Sequence, residues 1–529
     1  MVLAAIFLLA FFLRFFHLGN LPLYFHQDEV LNGYVGRFIL ETGKDLYGNS
    51  LPLLYFDRFG DFPNVIPMYL SGLGTLIFGA SEFAVRLPIA LIGSLTVVIF
   101  YFLGKLVLNN KTAALLLAFL LAVNPWHIVL SRATAEGVTA LAVFSLGLYL
   151  VIKAVVYDSR KLLLFSSALF LLTYFLYPGY RIFTPIALLP LPFFNKKFLP
   201  VVIFFLCLTL LISTTVWGQG RFSQTSLFYN TAIREKIETA NAAFSFDDGS
   251  NRVFEARVFH NKFTGFFKEG VEQYLSYFSP SFLFIKGGLP DRYIVPNQGL
   301  FYLTMIVFLT GLFLPVKKKR PFYYYFFYLL LVAPIPAALT VDDVPNTHRA
   351  AGLILPFCFL AAMGLENLLN FIKNRQLKIG LVIAAVLLIG LETVYFWHQY
   401  VNHTASYKSI YRNGGSQELM VVLKEKQAEA DQVVMPSLDT LPLYYLFYQA
   451  NFDRSLAGLF GDNLKIDKID NVFFVGNWCP EREFDLNSLP GRTILISRSD
   501  CDTPAGFTQT REIRRHDSTV AFKVLQTGF

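Results

Sequence analysis

Apolar runs near the bilayer length of about 20 residues recur along this chain, and they restrict its fold more than any other feature. In hydrocarbon every backbone N–H and C=O must find its partner inside the protein, so such runs become helices. Eleven spans are predicted, at approximately 1–18, 84–106, 113–130, 137–156, 162–177, 182–194, 198–217, 298–316, 321–340, 350–371 and 379–397. The sixth is short and carries Pro185, Pro190 and Pro192, so it reads as a broken or tilted helix, and without it the downstream parity inverts. The first run lacks a basic leader and a small-residue cleavage site, so it is expected to remain as a span.

Lys and Arg orient these spans. With the amino terminus in the cytoplasm, every second connection faces inward, and these connections hold Lys105 and Lys111, then Lys153, Arg160 and Lys161, then Lys196 and Lys197, then Lys317 to Arg320, then Lys373, Arg375 and Lys378. Only Asp158 opposes them. Segments 19–83 and 218–297 then become long external loops, and long loops are usually functional. Within the first, 64–79 is apolar but short and proline-containing, which fits a helix lying in the interface. A multi-pass plasma-membrane protein with an external carboxy terminus is expected.

Composition agrees with the runs: charged residues make up 16% of the chain, below the roughly 25% of soluble proteins, and hydrophobic residues 54%. The net charge of +8 does not indicate a nucleic-acid partner, because its basic residues sit at the ends of apolar runs. The composition changes after residue 397, since 398–529 holds 30 charged residues in 132. The expected division is therefore a membrane domain, 1–397, and a small extracytoplasmic α/β domain, 398–529. Helices are predicted near 416–430 and 441–450, and strands at 432–436, 472–476, 493–497 and 519–525. Cys479 and Cys501 share this external segment and are expected to bridge, whereas Cys207 and Cys358 fall within apolar spans.

Charge beside hydrocarbon is costly, so the ionisable groups at the external ends of spans are the candidate site. They are His26-Gln27-Asp28-Glu29, Asp57-Arg58-Phe59-Gly60-Asp61, Arg86, Arg132 with Glu136, and Asp342 to Arg349, which includes His348. Each alone also fits a solvated loop, a helix cap or a snorkelling side chain. Their coincidence on one side supplies carboxylates as bases and guanidinium groups suited to phosphate, as a reaction on a lipid-linked phosphate requires. Asp28 and Glu29 point about 100° apart on a helix, so only one faces a given substrate atom. A transporter or flippase of a lipid-linked sugar and a non-catalytic envelope scaffold are the rival readings. Transporters place polar groups at the midplane within repeated halves, a pattern this sequence lacks.

The segments RFFHLGNLPLYFHQDE, GDFPNVIPMYLSGLGTLIFGASEFAVRLPIALIGSL, NPWHIVLSRATAEGVTALAVFSLGLYL and YPGYRIFTPIALLPL resemble the GT-C glycosyltransferases of the protein mannosyltransferase and aminoarabinose transferase type. RVFHNKFTGFFKEGVEQYLSYFSPSFLFIKGG and DDVPNTHR resemble bacterial members, and the likeness spans most of residues 10–371. The resemblance implies a GT-C-like fold and inverting transfer of a sugar from a polyprenyl-phosphate carrier to a protein, lipid or glycan acceptor at the bilayer. It implies Asp28 as the base, Glu29 as its acidic neighbour, and Arg86 as the contact to the lipid phosphate. Asp61 and Glu136 match polar external positions of the family, although GDFPN departs from the usual HPP or KPP. His348 and Arg349 complete the substrate-binding candidates. The WWD signature of oligosaccharyltransferases is absent. Relatives differ on metal use, so no cofactor is assigned, and His26, Asp28, Glu29 and His348 are the residues a divalent ion could use.

Overall fold

The computed structural model describes residues 1–529 except 59–60, 248–252, 315–321, 439, 487–488, 490 and 528–529. The expected basic connection Lys317 to Arg320 therefore lies outside the described residues, as do Phe59 and Gly60. The amino-terminal third of the chain is helical: α1 (Val2–Phe15), α2 (Gln27–Thr42), α3 (Val65–Phe78), α4 (Glu82–Leu108), α5 (Lys111–Ala122), α6 (Pro125–Arg132), α7 (Glu136–Tyr157) and α8 (Arg160–Leu176).

Among the described residues five helices are long and apolar enough to cross a membrane, namely Glu82–Leu108, Glu136–Tyr157, Lys196–Ser213, Ala351–Phe371 and Arg375–Asn402. Counting the bent pair α5 and α6 as one span makes six. That pair bends by 52° because Pro125 opens α6 while the Asn124 side chain accepts from the His127 N–H at 2.8 Å and starts a new helix. Other expected spans are shorter apolar helices. The sixth is broken at Pro190 into Tyr180–Leu188 and Leu191–Phe194, and the ninth at Pro334 into Tyr323–Val332 and Ile335–Ala338.

The interfacial candidate 64–79 forms α3, which lies against α2 at backbone contact. A Cβ on Gly36 would meet the Met68 carbonyl oxygen at 1.9 Å, and one on Gly72 the Gly36 carbonyl carbon at 2.2 Å. No other residue type allows that approach.

The long helix Arg375–Asn402 runs past the composition boundary at 397 before the chain turns through Ser409–Arg412 into helix Ser416–Lys426. The six strands that follow are β1 (Gln432–Pro436), β2 (Lys468–Ile469), β3 (Val472–Val475), β4 (Thr493–Arg498), β5 (Phe507–Arg514) and β6 (Val520–Thr527), with helix Leu441–Tyr448 after β1. Their order is β2-β3-β1-β4-β6-β5. β1 is parallel to both β3 and β4, and the outer pairings are antiparallel.

This sheet sits on the α2 end of the helical bundle. Phe25, Val30, Tyr34 and Met68 share one core with Leu419, Val433, Phe447 and Ile494. Each such buried side chain contributes roughly 1.5–3 kcal/mol. The shared core thereby holds the start of α2 in a fixed place.

Cys479 and Cys501 form a disulfide with Cα atoms 5.4 Å apart. Closing that loop stabilises the fold by about 3 kcal/mol if unstrained. Alkylation of the unreduced, denatured protein is expected to label Cys207 and Cys358 alone. Label on Cys479 or Cys501 would show that the bridge does not form.

Candidate active site

Two adjacent acids at the start of α2 are turned in opposite directions. His26 is the N-cap: its Nδ1 accepts from the Asp28 N–H at 3.1 Å, and the Glu29 carboxylate accepts from the His26 N–H at 3.2 Å. This reciprocal cap fixes the first turn. It leaves the Glu29 side chain 4% exposed and that of Asp28 27% exposed, so only Asp28 is offered to solvent.

Glu29 is answered by Arg86 from α4. The Arg86 Nε donates to Oε1 at 2.8 Å and Nη2 to Oε2 at 3.0 Å, a two-bond fork. Its remaining N–H groups donate to the carbonyls of Leu18 and Pro22, each at 3.1 Å, and of Tyr24 at 2.9 Å. Arg86 is fully buried and every donor is engaged within the protein. The carbonyls it binds belong to the stretch between α1 and α2, so it ties that connection to the Glu29 carboxylate. Arg132 secures the same stretch, donating to the carbonyls of Leu13, Phe16 and Leu21 at 3.1, 2.7 and 3.0 Å.

Asp28 lies between two other guanidinium groups. Arg58 Nη1 donates to Oδ1 at 2.6 Å, and Arg292 Nη1 donates to Oδ2. Arg58 also donates to Asp61 Oδ2 at 3.2 Å, which places Asp61 one side chain away from Asp28. Burial alone raises the Asp28 pKa, but Arg292 and Arg58 outweigh it and hold the carboxyl well below the usual carboxylate range. Burial, reinforced by Arg292, lowers the His26 imidazole to about 3, so it is neutral at pH 7.

His26, Asp28 and Arg292 line a cleft of about 420 Å³, counting the open space at its mouth. Its lining includes Tyr24, His26, Asp28 and Glu29 from the start of α2 and the stretch before it, Thr134 and Glu136 from the α6–α7 junction, and Arg292, Tyr293 and Arg412. His348 reaches the same place: its Nε2 accepts from the Gly137 N–H at 3.0 Å and lies 3.4 Å from Glu136 Oε2. Arg349 points elsewhere. It donates to Thr340 Oγ1 and to the Asp342 carbonyl, each at 2.8 Å, and lines a second, largely apolar cavity of about 960 Å³ with Tyr177, Arg181, Ile212 and Phe222. Tyr177, which lines this second cavity, has its ring 4.7 Å from that of His348.

The structure thus brings Asp28, Glu29 and Glu136 to one cleft, with Asp61 linked to it through Arg58, His348 beside Glu136, Arg86 paired with Glu29 and Arg349 at a second cavity. Sequence reasoning noticed Arg58 only as a member of a charged cluster and missed Arg292, although Asp291-Arg292-Tyr293 lies just before the predicted external end of the span 298–316. Among the described residues the one group of three His, Cys, Asp or Glu side chains close enough to hold a metal is Cys479, Glu481 and Cys501, and its thiols are consumed by the disulfide. The carboxylates of Asp28 and Glu29, considered above for a divalent ion, are each paired with guanidinium.

Residues 63–218 match the family model described as dolichyl-phosphate-mannose-protein mannosyltransferase. No curated protein matches the chain by sequence. Two crystal structures of ArnT from Cupriavidus metallidurans are similar over 99% of this chain and 97% of theirs. The apo form is 13% identical with a TM-score of 0.51, and the form bound to undecaprenyl phosphate is 14% identical with a TM-score of 0.53. A mannosyltransferase-family pattern over residues 63–218 thus lies within a fold similar to that of ArnT over almost the whole length of the chain.

Proposed function

We propose that the protein transfers a sugar from a polyprenyl-phosphate carrier to an acceptor hydroxyl on a protein, lipid or glycan, at the extracytoplasmic mouth of the Asp28 cleft and with inversion of the anomeric carbon. The observation that carries this reading is the Asp28 carboxylate clasped by Arg58 and Arg292 in a partly open cleft. The Lys/Arg pattern of the connections supports the orientation, with the membrane domain, residues 1–397, carrying the chemistry and residues 398–529 covering the cleft. The ArnT structure bound to undecaprenyl phosphate supports the class of donor, and the apolar cavity beside Tyr177 suits its hydrocarbon chain.

The charge arrangement yields a sequence of events. Before the donor binds, two guanidinium groups neutralise Asp28 and keep it a weak base. An arriving phosphate competes for both, because Arg58 and Arg292 can each bind phosphate oxygens as they bind the carboxylate. As these cations turn to the phosphate, their hold on Asp28 weakens and its pKa rises, so it accepts the acceptor's proton more readily. The same guanidinium groups offset the charge developing on the departing carrier phosphate. One base and one displacement give inversion, with no covalent sugar–enzyme step. Arg86, with its donors engaged, acts in this reading by holding Glu29 and the α1–α2 connection rather than the phosphate itself.

The test is transfer of labelled sugar from a polyprenyl-phosphate donor by the purified protein, followed against pH. The kcat/KM profile reports the free enzyme, in which Asp28 is ionised far down the pH scale, so its acid limb lies low. The kcat profile reports the donor complex, in which the cations are shared, so its acid limb lies at higher pH. Limbs that coincide would refute the exchange of cations. Absence of transfer from every polyprenyl-phosphate sugar offered, with the labelled donor instead moved across the bilayer, would establish a transporter.

A further inference from the structure

At the end of the molecule away from Asp28, the long helix Arg375–Asn402 stands apart from its neighbours. Its buried positions begin only at Ala385, followed by Ile389, Phe396, Gln399 and Tyr400. The three turns before Ala385 border a groove of about 900 Å³, counting its open side, which separates them from the start of α5 and the end of helix Ile354–Phe371. Its polar lining is Asn110, Thr112, Glu366, Asn370 and Lys378, and Leu116, Val382 and Ile383 lie about a turn farther along α5 and the long helix.

All three elements that form the groove belong to membrane-crossing candidates, so its apolar end opens into hydrocarbon. An acyl chain fills such a space without exposing apolar wall to water, and the rim then receives a head group. The charge at the rim selects which one. Lys378 lines it, while Lys111 and Arg375, at the first positions of their helices, and Lys373, just before the second, are exposed. The carboxylate among the lining residues, Glu366, accepts from Asn110 Nδ2 at 2.7 Å. Four cations against one acid favour an anionic head group.

We propose that this groove is a binding site for an anionic phospholipid of the surrounding bilayer, its phosphate at Lys378 and one acyl chain along Leu116, Val382 and Ile383. The site is separate from the Asp28 cleft and does not depend on the transfer reaction. Its occupant braces the free end of a helix whose other end leads into the sheet-bearing segment. Beyond that helix Lys408 donates to Asp291 Oδ1 at 2.8 Å, and Arg412 donates to the Ile294 carbonyl at 2.7 Å, on either side of Arg292.

The test is native mass spectrometry of the full-length protein in detergent, titrated with phosphatidylglycerol and phosphatidylcholine of matched acyl chains. A preference for phosphatidylglycerol of about fivefold or more is expected, the usual worth of one cation near a lipid phosphate. Lys378→Glu should reduce the preference to within about twofold, and Lys378→Gln, which disturbs the fold less, should fall between. Ile383→Trp fills the apolar end and should weaken both lipids. Lys161→Glu, at an exposed cation on α8, serves as the control and should leave the preference intact. Equal binding of the two lipids by the parent protein would overturn the proposal, as would an unchanged preference in both Lys378 variants or undiminished binding by Ile383→Trp.

Discussion

Asp28→Asn is expected to lower turnover by about 100-fold to 10,000-fold, the usual worth of a positioned base. The amide keeps the size of the side chain and most of its hydrogen bonding but cannot take a proton from the acceptor. Donor binding should hold or tighten, because Arg58 and Arg292 lose the carboxylate that occupies them in the unliganded cleft. That pairing of effects separates a base from a residue that merely organises phosphate contacts, whose loss would raise the donor Kd. Single-turnover transfer and donor titration on the same preparation measure both. If Asp28→Asn transfers at the parental rate while Glu29→Gln is inactive in a folded protein, the roles of the two acids are reversed. If neither substitution slows transfer, the chemistry lies elsewhere in the cleft, and Asp61 and Glu136 are the carboxylates to replace next.

The site was legible in the sequence where a local rule acts on it and illegible where only the tertiary fold does. The 100° separation of neighbouring residues on a helix already required Asp28 and Glu29 to diverge, and the structure sends one to the cleft and the other to Arg86. Arg292 lies 264 residues from Asp28, and nothing local to either predicts that they meet. The long apolar runs became long helices, but prolines that hydropathy does not weigh divided the shorter ones at Pro125, Pro190 and Pro334. Strands β1, β3, β4 and β6 follow apolar stretches and were expected. β5 was not, because Thr508 to Arg511 is an exposed polar edge with no alternation to read. The composition break falls at 397, whereas the helix continues to Asn402 and the next core is shared with α2.

Arg86→Ala is expected to destabilise the protein by about 3–5 kcal/mol, since it leaves the Glu29 carboxylate buried without its partner. The same change also abandons the Leu18, Pro22 and Tyr24 carbonyls, so the connection into α2 loosens together with the cap that orients Asp28. Arg86→Lys keeps the charge but cannot span a carboxylate fork and three separate carbonyls with one ammonium group, and it should recover only some of the loss. The informative comparison is the double variant Arg86→Met with Glu29→Leu. Replacing both charges by apolar groups of similar size removes the unpaired ion, so the pair should unfold later than either single variant despite lacking the whole interaction. A residue that held the carrier phosphate directly would behave otherwise: Arg86→Ala would unfold at the parental denaturant concentration, lose donor affinity, and gain nothing from Glu29→Leu. Unfolding midpoints for the parent and these variants, measured beside their donor affinities, decide between an arginine that builds the site and one that touches the lipid.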